Sequence, residues 1–246
     1  MTDDSEGIEH RTAAIRALAD PDHAAAADAY ALAAHGELAG HENHRREAFD
    51  TDGWAGTGLA ALALAAVCDR IAGREDRAGQ RALQGRALAT EQREHVLSGV
   101  DRGGASEFVG DFSILAGEDD AAEAAYDRAA EIYEAAGLDD PAGATTNPML
   151  QAGTDLLLQL SRPDDVAWDD VHGTGGDALA RRVRFRRSRF SEMLAARIDA
   201  GRLHPPRGST EYNSSFRCEN CGSTDVNYVA NAVLCLRCVD VIELRE

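Results

Sequence analysis

Cys218-x2-Cys221 and Cys235-x2-Cys238, with thirteen residues between them, constrain this chain more than any other feature. Two Cys-x-x-Cys hooks at that separation can close around one tetrahedral ion, with four thiolates near about 2.3 Å from zinc. The residues between them fit two short strands, Thr224–Val229 and Ala232–Leu234. So small a segment buries too little apolar surface to fold alone, and metal ligation would supply the missing free energy. The competing pairing is two disulfides. The start of the chain, Met1-Thr-Asp-Asp-Ser-Glu-Gly, has neither a basic region nor an apolar core of the kind that directs export to an oxidising compartment. The expectation is therefore one structural zinc ion on Cys218, Cys221, Cys235 and Cys238, with zinc preferred over iron because nothing else in the chain is redox-related. Four thiolates leave no open position for water or substrate. Cys68 lies in an Ala/Leu-rich run and reads as a small buried hydrophobe.

The charged residues narrow the function classes. Asp and Glu total 43 against 25 basic residues, all of them Arg, giving a net charge of −18. Such self-repulsion destabilises a compact state at low salt, and it largely vanishes at 1 M salt, where the screening length is roughly 3 Å. The composition predicts a cytoplasmic protein of a high-salt cell, whose acidic surface reflects solvation more than partner choice. Without Lys, a phosphate-loop Lys, a Schiff base and a Lys general base are excluded. The longest apolar run, Leu59 to Cys68, is too short to cross a bilayer. Residues 1–175 carry a net −21 and residues 176–246 a net +3, so surface demands change near 173–176.

Apolar periodicity over the first 160 residues predicts helix after helix. Asp20-Pro21 is expected to open a helix reaching about Leu38. Further helices are expected over about His41–Asp50, Trp54–Ile71, Glu75–Val100, Ser106–Leu115, Asp119–Ala136 and Asn147–Leu160, with Gly103-Gly104 as a break and Pro163-Asp164 opening a short segment. The fold class is mainly α, a helical-hairpin repeat or irregular bundle, with a small C-terminal β zinc ribbon. Boundaries are expected at 1–172 for the acidic helical domain, 173–204 for a glycine joint and Arg-rich helix, 205–215 for a linker and 216–246 for the ribbon.

Around Gly117, Val109-Gly110 precede the turn, and Ala122, Tyr126 and Ala129 follow it. This unit resembles a tetratricopeptide repeat, with small residues where paired helices touch and an aromatic wedged between hairpins. Weaker copies centre on Gly40 and Gly73, and the terminal proline and first-helix aromatic of that family are missing. The resemblance implies a concave face that grips a protein partner. The tail, through Cys218-Glu-Asn-Cys221-Gly222-Ser223 and Val233-Leu-Cys235-x2-Cys238-x2-Val241-Ile242, resembles the zinc ribbon of transcription initiation factor B. That resemblance covers about thirty residues and implies a docking module.

The helix expected over 177–200 carries six Arg within nine residues. Leu179, Val183, Phe190 and Leu194 define its apolar face. Arg181, Arg182, Arg184 and Arg189 are expected opposite, with Arg186 and Arg187 at the edges. These six either contact nucleic-acid phosphates or pair with the acidic domain. Gly173-Thr-Gly-Gly176 is a joint lacking the features of a nucleotide loop. A rubrerythrin-like di-iron enzyme also places a four-Cys ribbon after a bundle, but it needs Glu-x-x-His pairs. No His here has Glu three residues before it. His41 and His44, one turn apart with Glu37 nearby, read as surface residues. Catalytic motifs are lacking. The sequence favours a non-enzymatic adaptor with a protein partner, followed by a nucleic-acid-binding regulator associated with transcription or the ribosome, without a membrane and with oligomeric state open.

Overall fold

The computed structural model describes residues 4–39, 54–162, 166–212, 216–230 and 232–242. The helices expected over His41–Asp50 and from Pro163, and with them His41 and His44, lie outside the described residues. Among the described residues, ten α-helices lead into a three-stranded antiparallel sheet. They are α1 (Asp4–Ala19), α2 (His23–Ala39), α3 (Trp54–Ile71), α4 (Glu75–His95), α5 (Gly99–Ala116), α6 (Asp119–Ala136), α7 (Pro141–Ala144), α8 (Pro148–Ser161), α9 (Trp168–His172) and α10 (Ala178–Asp199). The sheet runs β1 (Ser209–Tyr212), β2 (Asp225–Val229), β3 (Ala232–Cys235). No helix among the described residues is long and apolar enough to cross a membrane.

From α1 to α6, each described helix packs on its neighbours in sequence. The apolar α3 sits at the centre, touching α2, α4, α5, α8 and α10. That position explains a run almost without polar residues: Leu59, Leu62, Ala63, Ala65, Ala66, Val67 and Cys68 are all sealed from solvent. A helix covered on several sides needs apolar residues all round rather than a single stripe. Cys68 fits the expected small hydrophobe, and burial pushes its thiol well above the usual range.

Two boundaries differ from expectation for identifiable reasons. Helix α2 opens at His23, because the Asp22 carboxylate accepts a 2.9 Å bond from the Ala25 amide and so serves as the cap in place of Asp20. More telling is Gly103-Gly104, which does not break the chain. Both glycines lie inside α5, while α4 ends earlier, at His95. A Cβ on Gly103 would collide with the Tyr133 ring of α6, and one on Gly104 would press on Leu150 and Met149 of α8. These glycines are present for close approach between helices, and α5 tolerates their low propensity because it is buried along most of its length.

The same device recurs along the stack. Gly85 of α4 receives Phe112 of α5, and Gly110 of α5 receives Tyr126 of α6. Between α5 and α6 the turn is closed by Gly117 at φ 78°, where the Gly117 and Glu118 amides donate to Ile114 and Ser113 carbonyls at 3.0 and 2.9 Å. That is the double-bonded helix ending which favours glycine in the left-handed region.

The described part of the stretch expected as a linker, 205–212, is tied down together with Leu203 and His204 before it. The Leu203 amide donates to His23 Nε2 at 3.1 Å. The carbonyls of His204, Pro205 and Pro206 accept from Gln159, Arg162 and Asn227 at 3.1, 2.7 and 3.1 Å. Gly208 then donates to Asn227 Oδ1 at 2.8 Å, and Ser209–Tyr212 pairs along β2 with Ser209 opposite Tyr228. A strap with consecutive polar groups satisfied by the body on one side and the ribbon on the other holds the two together.

Candidate metal centre and the buried arginines

Each cysteine hook is built by the same pair of backbone bonds. In the first, the Cys218 amide donates to Ser223 O at 2.8 Å and the Gly222 amide to Cys218 O at 2.9 Å. In the second, the Cys235 amide donates to Asp240 O at 2.8 Å and the Val239 amide to Cys235 O at 3.0 Å. The two hooks are held facing one another by β2 and β3, in which Val226 lies opposite Cys235. Val226 and Ile242 form the small apolar floor, with Phe216 edge-on to Tyr228 at 6.5 Å beside it.

The four sulfurs converge, all lying within 4.8 Å of one another. Cys218 and Cys238 place their sulfurs 3.4 Å apart, and Cys221 and Cys235 theirs 3.5 Å apart. A tetrahedral ion with bonds of about 2.3 Å sets its ligands about 3.8 Å apart, so the donor set fits one metal ion. These distances are too long for sulfur–sulfur bonds, and all four cysteines are free thiols. Among the described residues this is the one group of His, Cys, Asp and Glu side chains close enough to share an ion. An ion taking all four would have a filled coordination sphere.

The arginines of α10 divide in a way the apolar stripe did not reveal. Arg181, Arg184 and Arg189 are exposed, as expected. Arg184 reaches Asp177 at 3.1 Å and Arg189 reaches Glu192 at 3.1 Å, while Arg187 pairs with Glu123 at 3.3 Å and with Asp127 on α6. Arg182, expected opposite the apolar face, and Arg186, expected at its edge, are instead completely buried. In a helix, positions 179, 182, 183, 186 and 190 share one side, so both arginines point where Leu179, Val183 and Phe190 point.

A buried charge persists only when paired and hydrogen-bonded, and the partners sit on α5. Glu107 and Asp111, one turn apart and wholly enclosed, face Arg182 and Arg186. Arg182 places Nε 2.8 Å and Nη2 2.8 Å from the Glu107 oxygens and donates to Thr154 Oγ1 and Leu150 O at 2.5 and 2.7 Å. Arg186 lies 2.9 Å from Glu107 and 3.3 Å from Asp111, and donates to Gly153 O at 2.6 Å. Tyr133 and Tyr126 complete the acids, donating to Glu107 and Asp111 at 3.0 and 2.9 Å. Burial drives the Glu107 carboxyl upward, but Arg182 and Arg186 outweigh it and leave it below the ordinary range. For Asp111 burial wins over Arg186, and its pKa is raised to about 6. Two cations and two anions cancel, so this cluster is a neutral pin joining α5, α6, α8 and α10. Arg182 and Arg186 cannot meet a phosphate while α10 is docked.

A second charged cluster was not anticipated. Asp69, fully buried on α3, takes Arg74 Nε at 2.7 Å and Arg81 Nε at 3.0 Å, and both guanidiniums continue to Asp28 on α2. The signal was the i, i+7 pair Arg74–Arg81 opposite Asp69, the one acid of the largely apolar α3. The His172 imidazole lies against Trp168 at 4.8 Å on α9, and the enclosed His204 belongs to the strap.

No protein-family model matches the chain, and neither curated proteins nor solved structures include a significant match. The class defined by fold and site is thus a mainly α-helical protein with a C-terminal four-cysteine cluster able to hold one metal ion.

Proposed function

We propose that the chain is a non-enzymatic adaptor of a high-salt cytoplasm. Its acidic, tetratricopeptide-like helical body engages one protein partner, and its ribbon, closed on a single structural zinc ion, docks on another. The observation that carries this reading is the four-thiol cluster, whose complete donor set suits it to shaping a surface and leaves no place for substrate. The glycine-on-aromatic packing between successive helices supports the repeat-like body. A cleft of about 640 Å³ flanked by Tyr30, Glu37, Gln151, Trp168 and Arg207 combines an apolar floor with charges of both signs, which suits an extended peptide segment.

The di-iron alternative gains nothing from the acids inside the body, because Glu107 and Asp111 are engaged by arginines and tyrosines. The nucleic-acid reading is left with arginines that mostly have acidic neighbours, as Arg184, Arg187 and Arg189 do. The deciding experiment is affinity purification in molar salt from cells expressing the full chain. Protein partners lost with Cys235→Ser and retained by the triple variant Arg181→Ala, Arg184→Ala, Arg189→Ala support the adaptor. Nuclease-sensitive co-elution that the triple variant abolishes sinks it in favour of a nucleic-acid regulator.

A further inference from the structure

The two cysteine hooks are alike in their backbone bonds but differ at one position. The residue after the second cysteine of each stands at φ 71°, Gly222 in the first hook and Val239 in the second. Glycine enters that left-handed region freely, whereas a β-branched residue is a genuine outlier there. Such a conformation persists only when its surroundings over-determine it. The Val239 side chain is buried, and the peptide on its amino side is gripped from outside the ribbon.

Two arginines of the helical body supply that grip. Arg202, just past α10, donates to the carbonyl of Cys238 at 3.0 Å, and Arg162, just past α8, donates to the carbonyl of Leu236 at 3.2 Å. Arg162 is itself fixed, since its other nitrogen holds Pro205 O at 2.7 Å and its own carbonyl accepts from Arg197. Both bonds fall on the Cys235–Cys238 hook. Four thiolates around a divalent ion carry a net charge of −2, which adjacent guanidiniums offset. Groups that orient ligands from behind typically change metal affinity by about 10–100-fold.

We infer that Arg202 and Arg162 are positioning residues of the metal centre, holding Cys235 and Cys238 in their ligating geometry, so that the helical body sets the metal affinity of the ribbon. The inference rests on the four-cysteine cluster binding a divalent ion, and it makes that binding a property of the whole chain. The test is competition of the full-length protein with a chromophoric chelator for Zn²⁺ and Co²⁺ in molar salt. Arg202→Ala should lower affinity about 10-fold or more, and Arg202→Lys, which keeps a charged donor, should recover most of it. The helical melting transition of the metal-free chain should stay unchanged, which separates positioning from support of the fold.

Should Arg202→Ala alter the helical melt, a cycle with Val239→Gly decides. With the left-handed residue no longer strained, the affinity penalty of Arg202→Ala should shrink severalfold. Equal affinities for wild type and Arg202→Ala, or strictly additive effects in the cycle, overturn the inference. Absence of thiolate-to-cobalt absorption in the wild type would instead remove the metal centre itself, and is seen before any variant is made.

Discussion

Glu107 Oε2 lies 2.9 Å from Arg186 Nη1 with both side chains sealed from solvent, and the same carboxylate is held by Arg182. Seventy-nine residues separate Glu107 from Arg186, so this contact fixes the Arg-rich helix to the helical body. Its removal should be costly because the cations stay behind. Glu107→Gln leaves two enclosed guanidiniums facing Asp111 alone, and the expected loss is about 3–5 kcal/mol. Urea unfolding at constant high salt measures it, and a loss below about 1 kcal/mol would show the pair to be dispensable.

Acid dependence should separate two buried groups whose effects oppose. Asp111, raised to about 6 chiefly by burial, holds a proton in the folded chain that the unfolded chain has released. Its contribution to stability therefore falls as pH rises from about 4 to 6, by an amount on the order of 3 kcal/mol. His204 is lowered to about 4, first by burial and then by Arg202, Arg162 and Arg197. The unfolded chain binds the extra proton there, so its contribution grows as pH rises from about 4 to 6.5. Solvent screening reduces that gain to about 2 kcal/mol. Measured relative to the wild type, Asp111→Asn should gain stability as pH rises through this window, and His204→Gln should gain as pH falls. Parallel curves for all three would contradict these titrations.

The sequence made some of this visible and hid the rest for physical reasons. Cysteine spacing is local and chemically specific, so the cluster and its two flanking strands could be placed from about thirty residues. Helices such as Trp54–Ile71 and Asp119–Ala136 matched because periodicity and glycine endings agree there. Arg182 and Arg186 were hidden because charge argues for exposure, and the acids that reverse that argument lie 75 or more residues away. Gly103-Gly104 misled for a related reason, since a glycine that breaks a helix and one that admits a tyrosine look identical until the neighbouring helix is in place. The strap at 203–208 carried turn-forming residues with no local sign of their bonding partners.

Close packing at Gly110 should be intolerant of even one methyl group. A Cβ there would overlap the Tyr126 ring, and Tyr126 is held in place by its bond to Asp111. Gly110→Ala is expected to cost about 1–3 kcal/mol despite the better helix propensity of alanine. Gly79, on α4 with open space around it, is the control, where alanine should be neutral or stabilising by up to about 1 kcal/mol. Thermal melts of the two variants settle the comparison, and similar shifts would mean that Tyr126 moves aside freely.

Salt should stabilise the chain strongly. The −18 charge is concentrated before residue 176, where like charges repel across the surface of the body. Raising NaCl from 0.2 M toward 3 M shortens the screening length to a few ångströms and should raise the melting temperature steadily. The enclosed Glu107–Arg182–Arg186 cluster is shielded from ions and should contribute equally throughout. A melting temperature insensitive to salt would remove the argument for a high-salt origin.

Metal removal should have a graded effect that reports how far the ribbon depends on its ion. The ribbon core is small, with Val226, Leu234, Val239 and Ile242 as its buried aliphatic residues, so without a cation the sulfurs lose the interaction that draws the hooks together. The body has its own extensive core and should remain helical. Chelation is therefore expected to leave the far-ultraviolet helical signal within about 10% of its starting value while hydrogen exchange at β2 and β3 becomes fast. Because Arg162 and Arg202 hold the Cys235–Cys238 hook from outside, amides there should exchange more slowly than those of the Cys218–Cys221 hook in the stripped protein. Cys235→Ser should reproduce the chelated state without chelator. Full protection of both hooks after exhaustive chelation would mean that the ribbon folds without an ion, and the four thiols would need another explanation.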